Sequence, residues 1–505
     1  MTEFVEKLPV WNAEGTEPPI SKVETGWKID ERPPAEYMNY LQSTTYVAIK
    51  ELQEKAVHND TISEIQTDIT EAKQIAESAI EQTTENHNQI SMLTNKSNLN
   101  GIINRSKMDY VPLLNGQADW FKGTWRPAAL DGDWIFGDNS IKPTFTNLTS
   151  GGVSILHKSS RIQDGEIGIT MKGYDIEATA NSAAGIAFNG KNTNDYIAAT
   201  VMFNLKQVWI GTLKDGTYQN VRSVDISNPQ IIPKNGESIN LSVKTYGNVF
   251  SVFLNGTEVI KDQVSSYLNT RESNGLWGLL VYNGSTNIDT FTKNIVFSNL
   301  YTKEYDFSTI SKMDKVFHPG DSISAGAGVT VEERWTELLK TEMVKINPNY
   351  TSVNVAVSGS PTSVILDQVK QNVKGYDLVT LLGGTNNARI DSVGTTIESA
   401  VTDMRYMIRL AKAYGVIPVV GTCLPIDRTK LSPAMDATTW AWLTEYNNQI
   451  RMLCANEKVI CVDFYNEFNN ALIKLQADKI HPNPDGQKLM FEVIYRVISG
   501  KIRTL

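Results

Sequence analysis

The chain has 505 residues, 41% of them apolar and 20% charged, with a formal net charge of −9. That length exceeds a single core at roughly 100–200 residues per domain, and the composition excludes wholesale disorder. The acidic balance offers no field to hold a phosphate backbone, which excludes nucleic acid as the main partner, and no run of about 18 apolar residues points to membrane insertion. The opening MTEFVEKLPVW has no basic stretch followed by an apolar one, so the expectation is a protein folded in a cytosol without an export signal.

Residues 1–50 carry paired prolines at 18–19 and 33–34 and isolated Trp11 and Trp27. Proline holds the chain extended and removes backbone donors, so this segment reads as a docking or attachment arm leading into a helix near Pro34. Residues 51–100 read as a coiled-coil stalk. Ile62, Ile65, Ile69, Ala72, Ala76, Ala79, Thr83, Asn86, Ile90 and Leu93 alternate steps of three and four. Isoleucine at both seam positions favours a trimer, and Asn86 would set register at a cost in stability. The period ends near NKSNLNG.

Residues 108–305 change to short alternating runs. SINLSVKTY, Gly247-Asn248, VFSVFL, Asn255-Gly256 and TEVI read as successive hairpins, with Ile239, Leu241 and Val243, then Phe250, Val252 and Leu254, facing one side. Nearly 200 residues without a helical period imply an all-β sandwich or jelly roll. FSVFLNGTEVI and GLWGLLVYNGSTNIDTFT resemble the concanavalin-like sandwich families, many of which bind or hydrolyse glycans. Trp120, Trp125, Trp134, Trp209 and Trp277 suit a core better than a sugar platform. This domain is assigned to carbohydrate binding or to spacing.

In residues 312–505, apolar runs SVNVAV, YDLVTLL, VIPVVGTCL and KVICVDF alternate with helical patterns such as VEERWTELLKTEMVK and TIESAVTDMRYMIRLAKAYG. That alternation predicts an α/β doubly wound, flavodoxin-like parallel sheet, with chemistry at the carboxyl ends of its strands. Cys423, Cys454 and Cys461 lack metal-ligand spacing and read as buried thiols, and neither metal nor cofactor is expected.

The strand-end loops hold the chemistry. FHPGDSISAGAG places Ser322 after a strand among residues with almost no side chains; SVNVAVSGSPT places Gly359 after another, YDLVTLLGGTNN adds Gly384 and Asn386, and ADKIHPNPDG sets Asp478 three residues before His481. A hydroxyl needs a base of near-neutral pKa to attack, and among five histidines only His481 has an aspartate at that spacing in this domain. His58 and His87 fall in the stalk, His157 in the β region, and His318 just before the serine loop. The Ser322 and Gly359 N–H groups and the Asn386 amide are the candidate oxyanion donors.

This set resembles the SGNH hydrolase (GDSL-type esterase) family, with Gly320-Asp321-Ser322, Gly359, Gly384-Thr385-Asn386 and Asp478-Lys479-Ile480-His481 in order. The resemblance implies a serine esterase in which Ser322 is acylated and water activated by His481 releases the acid. Ile323 stands where the family name expects leucine, and Asn387 where many members have aspartate. Arg389, Trp440 and Trp442 are candidates for the cleft border, but suit surface or core better.

LPVWNAEGTEPP and GWKIDERPP resemble the start of tail-fibre and baseplate-type proteins of bacteriophages of Gram-positive hosts. With the arm, stalk, sandwich and esterase in series, the expectation is a homotrimeric virion protein. It would attach to baseplate or tail proteins by its N-terminus and remove O-acetyl groups from a bacterial cell-surface polysaccharide or teichoic acid. A bacterial carbohydrate or lipid esterase outside any virion, and a non-catalytic glycan-binding adhesin, remain open alternatives.

Overall fold

The structure is a computed structural model. It describes residues 15–28, 32–55, 108–110, 119–125, 132–137, 139–145, 151–173, 182–226, 237–265, 268–269, 272–273, 275–283, 295–389, 395–426, 437–469 and 471–502. The chain divides into two compact units, Met1–Asn86 and His87–Leu505.

In the first unit a helix spans Ala35–Lys55. It starts one residue after Pro34, whose carbonyl accepts from the N–H groups of Tyr37 and Met38. The segment before it, expected to be extended, contains a six-residue helix, Ile20–Thr25. Pro19 supplies the reason: its φ of −55° suits a helix entry, and its carbonyl accepts from Lys22 and Val23. Trp27 packs against Tyr37 at 5.7 Å with the Lys22 ammonium over its ring. Trp11 and the heptad seam from Ile62 to Leu93 lie outside the described residues.

The second unit opens with two antiparallel sheets. One has the order Thr257–Val264, Val249–Leu254, Ile239–Tyr246, Gly165–Lys172, Val296–Glu304, Ser140–Phe145, Gly132–Phe136, with Met108–Tyr110 also paired to Val296–Glu304. The other runs Thr217–Asp225, Gln207–Lys214, Asp195–Met202, Ser182–Asn192, Leu276–Asn283, Gly151–His157, Trp120–Trp125. Asn255 and Gly256 take φ of 49° and 79°, the left-handed pair that a two-residue hairpin needs. Alternation then does the packing: Ile239, Leu241, Val243, Phe250, Val252 and Leu254 are all buried in a core shared by the two sheets. Trp120, Trp134 and Trp277 are buried there too, while Trp209 is half-buried. His157 stacks on Trp277 at 5.6 Å, and burial pushes its pKa down.

The C-terminal region is a five-stranded parallel sheet: β1 (Lys315–His318), β2 (Thr351–Asn354), β3 (Leu378–Leu381), β4 (Ile417–Gly421) and β5 (Ile460–Val462), in the order β2-β1-β3-β4-β5. The helices are α1 (Ser322–Ala325), α2 (Trp335–Ile346), α3 (Thr362–Asn372), α4 (Ile397–Ala413), α5 (Ala437–Asn456), α6 (Phe464–Asn469) and α7 (Pro484–Ser499). β3 and β4 are buried at every residue, which is why they read as continuous apolar runs. Each such side chain contributes up to about 1.5–3 kcal/mol. On α4, Ala400, Met404, Met407, Ile408 and Ala411 form the buried stripe, and Thr396 with Ser399 closes a reciprocal capping box. β2 is an edge strand and stops at Asn354, short of the SVNVAV run, because the Asn354 side chain accepts from Ala356 N and turns the backbone. Gly359 therefore lies in a turn beyond the strand rather than directly after it.

Strand order reverses at β1, between β2 and β3. In parallel sheets this switch point opens a crevice at the carboxyl ends. The chain leaving β1 enters that crevice with Gly320, Asp321 and Ser322.

Candidate active site

Ser322 begins α1, and the Asp321 side chain caps that turn by accepting from Ile323 N at 2.9 Å. Ser322 Oγ lies 2.7 Å from His481 Nε2, and His481 Nδ1 lies 2.6 Å from Asp478 Oδ2. The other Asp478 oxygen accepts from the N–H groups of Ile480 and His481 at 3.0 and 3.1 Å. Lys479 adopts φ of +64° to let the loop fold back on that carboxylate. Partial burial pushes the Asp478 carboxyl up, but the His481 ring and these N–H groups outweigh it and hold it below its usual range. The site faces water: the Asp478 and His481 side chains are 43% and 23% exposed.

The thinned sequence after Ser322 has a steric cause. Gly326 and Gly328 adopt φ of +71° and +80°, and a Cβ on Gly328 would sit 2.3 Å from the Gln476 side-chain oxygen. Gln476 Nε2 donates to Ala327 O at 2.7 Å and to Pro482 O at 2.9 Å, while its backbone N–H donates to His481 O. This one side chain binds the histidine loop to the segment following the serine. The loop then ends at once in α7, where Pro484 occupies the first turn and Asn483 accepts from Gly486 N.

Gly359 has φ of +84° with open space where a Cβ would be. Neither its N–H nor that of Ser322 has a hydrogen-bond partner among the described residues. Asn386 is half-buried and donates through Nδ2 to Ser360 O at 3.2 Å, tying the third loop to the second. Gly384 at φ +129° has the Tyr446 ring 2.4 Å from its would-be Cβ.

Asn387, which departs from the family pattern, acts as a helix cap. Its Oδ1 accepts from Thr362 N at 2.9 Å and its Nδ2 donates to Thr362 Oγ1 at 3.0 Å, supplying the N-terminal cap that Pro361 does not. Gln368 of α3 holds both sides of Gly320, accepting from its N–H at 2.9 Å and donating to its carbonyl at 3.3 Å. Gln368 and Gln476 carry no motif, and sequence reasoning missed them; Asn387 stood out only as a departure from the family pattern, not as a cap.

His318 is no rival to His481: it is fully buried, bonded to Thr380 Oγ1 at 2.8 Å, and burial pushes its pKa down to about 3. Burial likewise raises Asp321 to about 6, and its Oδ2 has no hydrogen-bond partner among the described residues. Cys423 and Cys454 are buried, Cys461 partly so, and burial pushes the Cys423 thiol up to about 12. Trp440 and Trp442 are half-buried against the core, Trp442 stacked on Tyr446 at 5.0 Å; Arg389 is also half-buried. Among the described residues no group of three His, Cys, Asp or Glu could hold a metal ion, and no helix is long and apolar enough to cross a membrane.

No curated protein matches the chain. Among solved structures it is similar to a member of the lipolytic G-D-S-L family from Veillonella parvula, with 21% identity, 37% of this chain and 98% of that one covered, and a TM-score of 0.32. It is similar to the psychrotrophic esterase EstA from Pseudoalteromonas sp., with 16% identity, 37% and 97% covered, and a TM-score of 0.31. A variant of Axe2, an acetyl xylan esterase from Geobacillus stearothermophilus, shows 17% identity, 39% and 99% covered, and a TM-score of 0.33. The model of the GDSL-like Lipase/Acylhydrolase family matches residues 320–489, the stretch that holds every loop described above. Residues 320–489 form a GDSL (SGNH) hydrolase domain within a longer chain.

Proposed function

We propose that this domain is a serine ester hydrolase in which Ser322 is the nucleophile, His481 the general base and acid, and Asp478 the carboxylate that orients the imidazole. The observation that carries the reading is the unbroken hydrogen-bond chain from Ser322 through His481 to Asp478, at 2.7 and 2.6 Å. Asp478 accepts a hydrogen bond from Nδ1–H, which leaves Nε2 as the acceptor facing the serine. Nε2 takes the hydroxyl proton as Oγ bonds to the ester carbonyl carbon. The same proton passes to the departing alcohol as the acyl–oxygen bond breaks. Water then repeats the sequence: it loses a proton to His481, attacks the acyl-serine, and the acid leaves as the serine regains its hydrogen. The Ser322 and Gly359 N–H groups, with the Asn386 amide, receive the negative oxygen of each tetrahedral intermediate. Every step is moved by groups of this chain, with no cofactor.

The water-facing Asp478 and His481 leave the imidazole open to a bulky alcohol, and the substrate assigned is an O-acetyl group on a bacterial surface polysaccharide or teichoic acid. The heptad seam, with Met38, Leu41 and Val47 exposed on the helix before it, supports a homotrimer. The N-terminal sequence resemblance supports attachment to phage baseplate or tail proteins, and hence a place in the virion.

Purified full-length protein should release nitrophenol from p-nitrophenyl acetate with a burst. Ser322→Ala should abolish it, and His481→Ala should lower turnover by about 10²–10⁴. Undiminished acetate release by His481→Ala would remove the base from the mechanism; host-cell binding without turnover in the wild type would favour the adhesin.

A further inference from the structure

Outside the hydrolase domain, a groove of about 560 Å³ opens on the outer face of the eight-stranded sheet. Its floor is built by strand alternation. Ile167, Ile169, Leu241 and Val243 point into the core, while Glu166, Thr170, Asn240, Ser242 and Lys244 stand on the opposite face. Two features depart from a plain solvated sheet face. Gly168 lies directly beneath the Tyr301 ring, so close that a Cβ there would sit 2.1 Å from it. The strand carrying Tyr301 is also irregular: its register shifts between Ser298 and Tyr301, and Asn299 is held at φ +50°. A bulge of this kind re-aims side chains at a chosen point of a sheet and is costly to keep without a use.

The chemistry lining the groove is directional and neutral. Tyr301 OH donates to Glu166 Oε1 at 2.8 Å, and Lys244 balances that carboxylate at 3.9 Å while lying over the Phe253 ring at 4.2 Å. Thr170 Oγ1 donates to Asn240 Oδ1 at 2.8 Å and accepts from Asn299 Nδ2 at 3.3 Å. Flat aromatic surface beside amides, hydroxyls and one compensated carboxylate matches a ligand with C–H faces and a rim of hydroxyls. It offers no excess charge to a polyanion, and polar groups interrupt its apolar surface where a lipid would need it continuous.

We propose that this groove is a saccharide-binding site that holds a neutral segment of a glycan, with the Tyr301 ring as its stacking platform. It deepens the reading of a glycan-borne ester, since a second grip on the polymer raises the effective concentration of its acyl groups at Ser322.

The test is affinity electrophoresis of the full-length protein through gels containing xylan, β-glucan, galactan or soluble chitin oligomers, with p-nitrophenyl acetate turnover measured on the same preparations. At least one neutral glycan should retard the wild type and Ser322→Ala equally. Tyr301→Ala and Asn240→Ala should weaken that retardation by about tenfold or more while leaving turnover of the small ester unchanged. Thermal melts check folding; should Tyr301→Ala fail to fold, Asn240→Ala and Thr170→Ala decide. Retardation by none of the four glycans, or retardation kept by the folded variants, overturns the proposal. Absence of ester turnover in the wild type would sink the esterase reading alone, because the retardation does not depend on it.

Discussion

Asp321 stands beside the serine, and its burial has a measurable consequence. Its folded-state pKa of about 6 lies above the usual 3.8, so the native state holds this proton more tightly than the unfolded chain does. The stability this contributes is complete below the unfolded value and is lost as pH rises through 6, a change of up to about 3 kcal/mol. Asp478 has the opposite sign, its contribution being lost on acidification, and it is common to wild type and variant. Asp321→Asn keeps an oxygen for Ile323 N but has no charge to bury. Its stability relative to wild type should therefore increase between pH 4 and pH 7, read as the difference in urea unfolding free energy; a difference independent of pH would show that Asp321 is solvated. The residue types of the hydrolytic set were legible because serine, histidine and aspartate have few alternatives for this chemistry. Asn387 was legible only as a departure, because its partners are the Thr362 backbone and hydroxyl, 25 residues away.

Among elements, the strands of the parallel sheet announced themselves as apolar runs because both faces are covered. The edge strand β2 misled, since its extent is set by the Asn354 side chain and not by propensity. Loops were the least legible. The histidine loop is held by Gln476, whose contact with Ala327 O spans 149 residues of sequence and leaves no local pattern. Gln476→Ala should leave Ser322, His481 and Asp478 in place chemically but loosen their alignment. The expected result is a drop in kcat of about tenfold to a hundredfold with a much smaller change in KM and an unchanged pH profile. A change confined to KM would mean that Gln476 touches substrate instead. Pro34 shows a smaller version of the same limit: a helix start was predicted, but whether proline is the cap or the first helical residue depends on which N–H groups its carbonyl receives.

In the whole of the second unit, the sandwich and the hydrolase domain share one core, in which Tyr246, Val249, Tyr305 and Phe307 pack with the residues around the parallel sheet. A buried ionic cluster lies at their junction. Lys412 of α4 contacts Asp164 Oδ2 at 2.6 Å and Glu457 Oε2 at 3.1 Å, while Arg409 contacts Glu457 Oε1 at 2.9 Å and donates to the Leu268 carbonyl. Burial alone would lower the Lys412 pKa, but Asp164 and Glu457 outweigh it and raise it, so the ammonium stays charged. Lys412→Met leaves two buried carboxylates facing one guanidinium, and the cost should be about 3–5 kcal/mol, measured by denaturant unfolding. Ester turnover per folded molecule should be unaffected; a loss under about 1 kcal/mol would mean that water reaches the cluster.

The sequence by itself determined the kinds of structure and the kinds of chemistry. Periodicity of two or of near-continuous apolar residues sets which sheet forms, and the scarcity of histidine marks which residues are equipped for acyl transfer. Only the tertiary structure decided which distant groups meet. Gly247 was legible as a turn residue, yet a Cβ there would sit 2.0 Å from the Arg409 carbonyl, so the same glycine is also what lets a hairpin of the sandwich seat against α4. Such contacts depend on backbone positions set by hundreds of residues acting together, and hydrogen bonds to backbone carbonyls are indifferent to the identity of the residue that supplies them. That is why Gln476, Gln368 and the Lys412 cluster came to light only in three dimensions.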